Sequence, residues 1–206
     1  MARGIVRGAK EKSEMTLNEQ KAALRKEVRA KLKNISPAAR AAASAQLCAR
    51  LKEQPFWKNA ASVLFFAPLP DELDVWPLLE ETAAGGKLAV LPCFVPADQS
   101  YAARRVQNPR SEIVLGQFGI REPKSCCAKM DLRRLDLILV PGVAFDLRGS
   151  RLGRGRAFYD RLLLERPGLK CGVAFDEQIA GEVPAGPHDQ RMDFILTPTR
   201  CVETAG

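Results

Sequence analysis

Between residues 62 and 196 the chain repeats one pattern: an apolar run of strand length, a stop at proline or glycine, then a spacer long enough for a helix. Residues 62–66 read as a buried strand, 87–91 as a strand stopped by Pro92, and 102–106 as a further strand. The most apolar run, 136–140, stops at Pro141-Gly142. Residues 169–175 and 194–196 complete the set, and 107–130 are loop-rich, with Gly116, Gly119 and Pro123. Strands separated by helix-length spacers predict an α/β fold: a mostly parallel sheet flanked by helices on both faces. Such sheets take ligands beyond the carboxyl ends of their strands.

An N-terminal helical segment precedes the sheet. Thr16 and Glu19 stand three apart, the spacing of a capping box, in which hydroxyl and carboxylate each satisfy a free amide. Leu17, Leu24, Val28 and Leu32 follow at helical spacing, so this helix runs to about Lys33. Ser36-Pro37 marks a second start, and the Ala-rich helix it opens ends before Pro55. Further helices are expected over 74–84, ended by Gly85-Gly86, and over 158–165. Residues 1–15 are small, polar and basic, and are expected to be a disordered leader, with Met15 a second candidate start. Residues 16–206 are expected to form a single α/β domain.

No apolar run approaches the roughly 20 residues of a membrane span, and the basic N-terminus lacks the apolar core of a secretory signal. The cysteines (Cys48, Cys93, Cys126, Cys127, Cys171, Cys201) include no C-x-x-C pair, which argues against zinc ribbons and thioredoxin chemistry. Free thiols in a reducing cytoplasm are the simpler expectation. The net charge of +8 attracts anions, nucleic acid and nucleotides alike, but Arg3, Arg7, Lys10 and Lys12 assign part of it to the leader.

The most informative segment is residues 136–161, DLILVPGVAFDLRGSRLGRGRAFYDR. A buried strand emerges at Val140, a loop with Gly142 and Gly149 reverses direction, and RLGRGRAFYD (151–160) opens a helix. Gly153 and Gly155 let the backbone approach a ligand and point amides at it. Arg151, Arg154 and Arg156 add three full charges, so the turn is suited to phosphate. Asp160, acidic among cations, can hold a nucleotide's magnesium. The turn is neither a Walker P-loop nor G-x-G-x-x-G. Taken alone, Gly-Arg-Gly reads more readily as a capped helix carrying solvated arginines.

The whole string resembles the signature of the 5-formyltetrahydrofolate cyclo-ligase family: V-P-G-x-x-F-D, a short spacer, then G-x-R-L-G-x-G-x-G-Y-Y-D. Ala157 stands where that pattern has glycine, and Phe158 where it has its first tyrosine. The resemblance extends from Glu19 onward. Lys21-Ala-Ala-Leu-Arg25 looks like the family's K-x-x-L-R, whose cations reach ATP phosphates; without the family, Lys21 and Arg25 read as a solvated basic stripe with Arg29. Pro70-Asp-Glu-Leu-Asp74 resembles an acidic segment whose glutamate, here Glu72, binds the pterin of the folate. Pro187-His188-Asp189 looks like the family's H-D or N-D pair, which implies a second magnesium ligand at Asp189. His188, the one histidine, is read as structural. Gly119-Ile-Arg-Glu-Pro123 resembles a family loop near the site and carries no assigned role. Trp57, Trp76 and the phenylalanines read as packing residues.

The resemblance implies ATP-dependent cyclisation of 5-formyltetrahydrofolate to 5,10-methenyltetrahydrofolate, with release of ADP and phosphate. The formyl oxygen takes the γ-phosphate, N10 attacks the activated carbon, and loss of phosphate leaves the methenyl bridge. It implies ATP contacts from Lys21, Arg25, Arg151, Leu152, Gly153, Arg154, Gly155, Arg156, Ala157, Phe158 and Tyr159. Folate contacts are implied for Glu72, Arg154, Gly155, Arg156, Ala157 and Phe158, with Arg154 and Arg156 as catalytic cations. Magnesium is implied at Asp160 and Asp189. A cytoplasmic monomer acting on small molecules, without nucleic acid or membrane, is expected. The alternatives are a basic nucleic-acid-binding protein, which would need a recognisable signature that the chain lacks, and another phosphate-handling α/β enzyme.

Overall fold

The computed structural model describes residues 15–97, 100–116, 119–155, 158–164 and 168–204. The expected leader, apart from Met15, lies outside the described residues, as do Arg156 and Ala157. The helices are α1 (Leu17–Lys33), α2 (Pro37–Glu53), α3 (Pro55–Asn59), α4 (Trp76–Ala84), α5 (Pro109–Glu112) and α6 (Phe158–Leu162). The strands are β1 (Ser62–Leu64), β2 (Leu88–Val95), β3 (Ser100–Val106), β4 (Ile113–Leu115), β5 (Arg121–Pro123), β6 (Lys129–Met130), β7 (Leu137–Pro141), β8 (Ala144–Phe145), β9 (Arg151–Leu152), β10 (Leu169–Val173), β11 (Phe194–Leu196) and β12 (Cys201–Glu203).

Eight strands form one sheet in the order β12-β11-β10-β7-β1-β2-β3-β6. Its centre, β11 to β2, is parallel, and β12, β3 and β6 are added antiparallel at the edges. Two small hairpins, β4–β5 and β8–β9, stand apart from it. This is the mixed, mostly parallel α/β sheet that the apolar runs predict.

Both N-terminal helices start where the capping residues place them. Thr16 and Glu19 form the reciprocal capping box, and the Ser36 hydroxyl accepts from the Ala39 amide at 3.2 Å. Leu32 and Val28 of α1, with Leu47 and Leu51 of α2, are buried against one face of the sheet, together with Val63, Ala89, Leu91, Leu137 and Leu139. The intervening Leu64, Val90, Ile138 and Val140 point to the other face, where Phe145, Leu162, Leu163 and Met192 cover them. Alternation along each strand thus feeds two cores, one under the long helices and one under α6 and the β8–β9 hairpin.

Several boundaries differ from expectation. β2 does not stop at Pro92 but runs to Val95, paired with β3 through Pro92↔Ala103. The amides of Leu88 and Phe94, of the same parity, face away from β3, to the Ala61 carbonyl and the Glu122 carboxylate. Pro92 therefore lacks its N–H on the side where β1 has already ended, and no ladder bond is lost. α4 begins at Trp76 rather than 74, because Asp74 accepts the Trp76 amide at 2.9 Å ahead of the helix. α6 is described only from Phe158 to Leu162, shorter than 158–165, and residues 165–167 lie outside the described set. β12 and both small hairpins were not expected from sequence.

Gly172 in β10 is required by packing rather than by backbone conformation. A Cβ there would lie 2.6 Å from the Phe145 ring and 2.9 Å from Ile195. All three residues are buried, so Gly172→Ala is expected to destabilise the fold by about 1–3 kcal/mol through overpacking. Urea unfolding monitored by circular dichroism checks this, and an unchanged midpoint would contradict it.

Among the described residues no helix is long and apolar enough to cross a membrane. All six cysteines are free thiols.

Candidate active site

The loops leaving β1, β7 and β10 meet at one end of the sheet. The segment after β7 first turns back as the β8–β9 hairpin. Asp146, fully buried, holds that hairpin by accepting the amides of Arg148, Ser150 and Val183, each at 3.0 Å. The aspartate of the V-P-G-x-x-F-D string is therefore scaffold. Gln178, also buried, donates to the Gly142 and Val143 carbonyls and fixes the exit of β7.

Arg151 follows on β9, with its side chain 3% exposed. Its Nη2 lies 2.7 Å from Asp160 Oδ1, its Nη1 donates to the Pro141 carbonyl, and its guanidinium faces the Tyr159 ring at 5.6 Å. Its Nε is buried without a partner among the described residues. Arg151 is thus committed to Asp160 rather than held open. A five-residue α6 adds only a small dipole, so the positive field of the turn comes from its side chains and amides.

Arg154 reaches across the cleft. Its guanidinium donates to Glu72 Oε1 from Nε (3.1 Å) and Nη2 (3.0 Å), and Nη2 also meets Asp71 Oδ1 at 2.6 Å. Glu72 is 8% exposed, and its second oxygen accepts the Leu69 amide at 3.0 Å. Burial raises the Glu72 carboxyl above the ordinary glutamate value, against the Leu69 amide and the Arg154 charge, which pull it down. Tyr159 is pushed up first by burial and then by the nearby Glu72 charge.

α1 packs beside the β8–β9 hairpin. Lys21 and Arg25, four residues apart on one face, both reach the turn region. Lys21 Nζ pairs with Asp189 Oδ2, and Arg25 Nε donates to the Gly153 carbonyl at 2.9 Å. Arg25 also lies 3.8 Å from where a Cβ on Gly155 would stand, and Gly155 has φ +95°. A residue with a Cβ at position 155 would be strained by that φ, although 3.8 Å leaves it in ordinary contact with Arg25. Burial would raise Asp189, but the Gly186 amide and Lys21 hold it below the ordinary aspartate range, helped by the charge of Arg151. His188 is exposed.

Between Glu72 and the turn residues Arg151, Gly153, Arg154 and Asp160 lies a cleft of about 190 Å³, and Lys21, Arg25 and Asp189 are not among the residues that line it. That is below the roughly 300–1,000 Å³ of pockets that enclose a drug-sized molecule, so it suits a ring system whose substituents extend outside. Phe66, Phe94, Tyr101, Phe158 and Tyr159 contribute its aromatic lining, and Glu72, Arg151, Arg154 and Asp160 its charged groups. Tyr101 and Phe158 meet edge to face at 4.1 Å. Phe66 and Phe94, read as packing residues, also line the cleft, as does Phe158. Ile120, Arg121 and Glu122 line it too, giving a position to the loop that carried no role. Glu122 accepts the Phe94 amide at 3.2 Å, and burial raises its carboxyl. No local signal marks these residues: the hairpin that carries Glu122 and the strand that carries Tyr101 come together only across the sheet edge. Asp71, beside Glu72 in sequence, was also missed as a partner of Arg154.

No cluster of three or more metal-ligating side chains exists among the described residues. Asp160 and Asp189 each have one oxygen engaged by a cation and a second with no hydrogen-bond donor among the described residues. One or two carboxylates completed by phosphate oxygens and water are the donor set of magnesium that arrives with a nucleotide. The residues fit that ion.

An α/β sheet whose carboxyl end carries an aromatic cleft, a paired carboxylate and a cation-lined glycine turn defines a ligand-binding enzyme. Residues 17–198 match the 5-formyltetrahydrofolate cyclo-ligase family. The 5-formyltetrahydrofolate cyclo-ligase of Escherichia coli K12 is 31% identical over 180 residues, 85% of this chain and 99% of that protein. The mouse protein of the same name is 28% identical over 202 residues, 88% of this chain and 95% of its own. The solution structure of Aquifex aeolicus 5,10-methenyltetrahydrofolate synthetase superposes with a TM-score of 0.81 at 35% identity, covering 90% of this chain and 93% of that one. The chain belongs to the 5-formyltetrahydrofolate cyclo-ligase family.

Proposed function

We propose that this protein catalyses the ATP-dependent closure of 5-formyltetrahydrofolate to 5,10-methenyltetrahydrofolate, releasing ADP and phosphate. The observation that carries the reading is the shared cleft, in which the buried carboxylate Glu72 and the Arg151–Asp160 turn face one aromatic pocket. Family membership supports the same reaction and disfavours the nucleic-acid alternative.

The formyl group on N5 is an amide and resists attack by N10 until its oxygen becomes a leaving group. The protein's task is to hold the pterin and the triphosphate in line and to stabilise charge that moves onto phosphate oxygens. A pterin presents an amino group and a ring N–H as paired donors, and the Glu72 carboxylate is their complement. Glu72 now spends Oε1 on Arg154. A pterin that takes Glu72 competes for that oxygen, and Arg154 is then freer to neutralise the transferring phosphoryl group. Arg156 is assigned the same work by the family pattern and lies outside the described residues. Lys21 and Arg25 anchor α1 against the turn and add cations for the phosphates, with the amides of 152–155 and the rings of Phe158 and Tyr159 beside them. Asp160 and Asp189 would hold magnesium, which supplies further neutralisation of the β- and γ-phosphates. The aromatic walls exclude water from the activated carbon.

Incubation with 5-formyltetrahydrofolate is expected to raise the near-ultraviolet absorbance of the methenyl product only when ATP and magnesium are both present. Product without ATP, or none under any condition, overturns the reading.

A further inference from the structure

Arg121 is the cation in the cleft wall that the proposed chemistry leaves unused. It sits on β5, and its guanidinium lies 3.6 Å from the centroid of the Trp76 ring. Trp76 opens α4, directly after the segment that carries Asp71 and Glu72. The indole is held from both ends: its backbone amide donates to Asp74, and its Nε1 donates to Glu80 at 3.2 Å. Arg121 itself has no hydrogen bond or ion pair from its side chain among the described residues. Among the described residues the other arginines of the site are committed: Arg151 to Asp160, Arg154 to Glu72 and Asp71, and Arg25 to the Gly153 carbonyl.

A guanidinium stacked on an aromatic face keeps its in-plane donors free in a fixed fork, which matches a carboxylate better than a point charge would. The stack also lowers the entropy lost when the fork engages an anion. The cleft takes a ring system and leaves the remainder of a ligand outside, and in a reduced folate that remainder ends in glutamyl carboxylates. We propose that Arg121, oriented by Trp76, binds a glutamyl carboxylate of the folate substrate. This assignment rests on the cyclo-ligase reading and adds the recognition of the substrate's tail to it.

The test compares 5-formyltetrahydrofolate with its glutamyl diamide, which retains N5, N10 and tail length but carries no tail charge. The wild type is expected to prefer the acid in kcat/KM. In Arg121→Ala that preference falls about 10- to 100-fold, the size of a lost charge-assisted contact. The fall is expected in the KM for the folate. Arg121→Lys, which keeps the charge without the fork, is expected to fall between the two. Thermal midpoints report whether the variants fold. Equal losses on acid and diamide, with the preference intact, overturn the assignment and leave the activity standing. A rise in the KM for ATP in place of that for folate also overturns it, and identifies the anion as phosphate. A wild type that turns over neither compound overturns the activity itself, and the assignment with it.

Discussion

Asp160→Ala is expected to remove turnover and lower stability together. In the folded protein the Asp160 carboxylate is the counter-charge of Arg151, whose side chain is 3% exposed. Removing it leaves a buried guanidinium unpaired and is expected to cost about 2–4 kcal/mol, somewhat less than a fully buried pair because Asp160 is partly open to water. Alanine alone would therefore confuse a folding defect with a catalytic one. Asp160→Asn keeps an oxygen for Arg151 and removes the charge. It is expected to retain most of the thermal stability, to lose about 100-fold or more in turnover, and to need far more magnesium for half-maximal rate. Differential scanning calorimetry and magnesium titration of the rate separate the two effects. A folded Asp160→Asn enzyme with a near-wild-type rate and magnesium requirement would remove Asp160 from the metal site.

The second large effect is expected at Glu72. Glu72→Ala deletes the one nearly buried carboxylate in the cleft, leaving Arg154 with Asp71 alone. Folate binding is expected to weaken about 100-fold, the scale of a lost charge-assisted pair, while the KM for ATP changes by less than about threefold. Equal losses for both ligands would argue against a pterin role. The same carboxyl carries a pH signature. Its folded pKa is raised, chiefly by burial, so its proton is bound more tightly in the folded than in the unfolded chain. Its contribution to stability is fully present below the ordinary glutamate value and is lost as pH rises through the folded value. In Glu72→Gln that decline is expected to disappear from the thermal midpoint measured across the window.

The parts legible in the sequence were those whose causes are local. The capping residues Thr16 and Ser36 mark the starts of α1 and α2, and the apolar runs at β1, β7 and β10 mark the parallel centre of the sheet. The 151–160 turn reads as an anion site because its glycines and arginines are adjacent. Pro92 misled because a proline forbids one hydrogen bond, and whether that bond is wanted depends on where the neighbouring strand ends. β12 and the two hairpins are too short for a periodic signal to rise above the background of a few residues. Phe66, Phe94 and Tyr101 carry no mark that separates a cleft wall from a core.

By itself the sequence determined the fold class, the starts of α1 and α2 and the family, because caps, apolar period and a contiguous turn are read within a few residues of one another. The pairings of the site were decided only by the tertiary structure. Arg154 and Glu72 are 82 positions apart, and Lys21 and Asp189 are 168 apart. Which cation neutralises which carboxylate depends on where the sheet brings the loops together, and with it which oxygens stay free for a ligand. A charge written in the chain has no partner until folding supplies one.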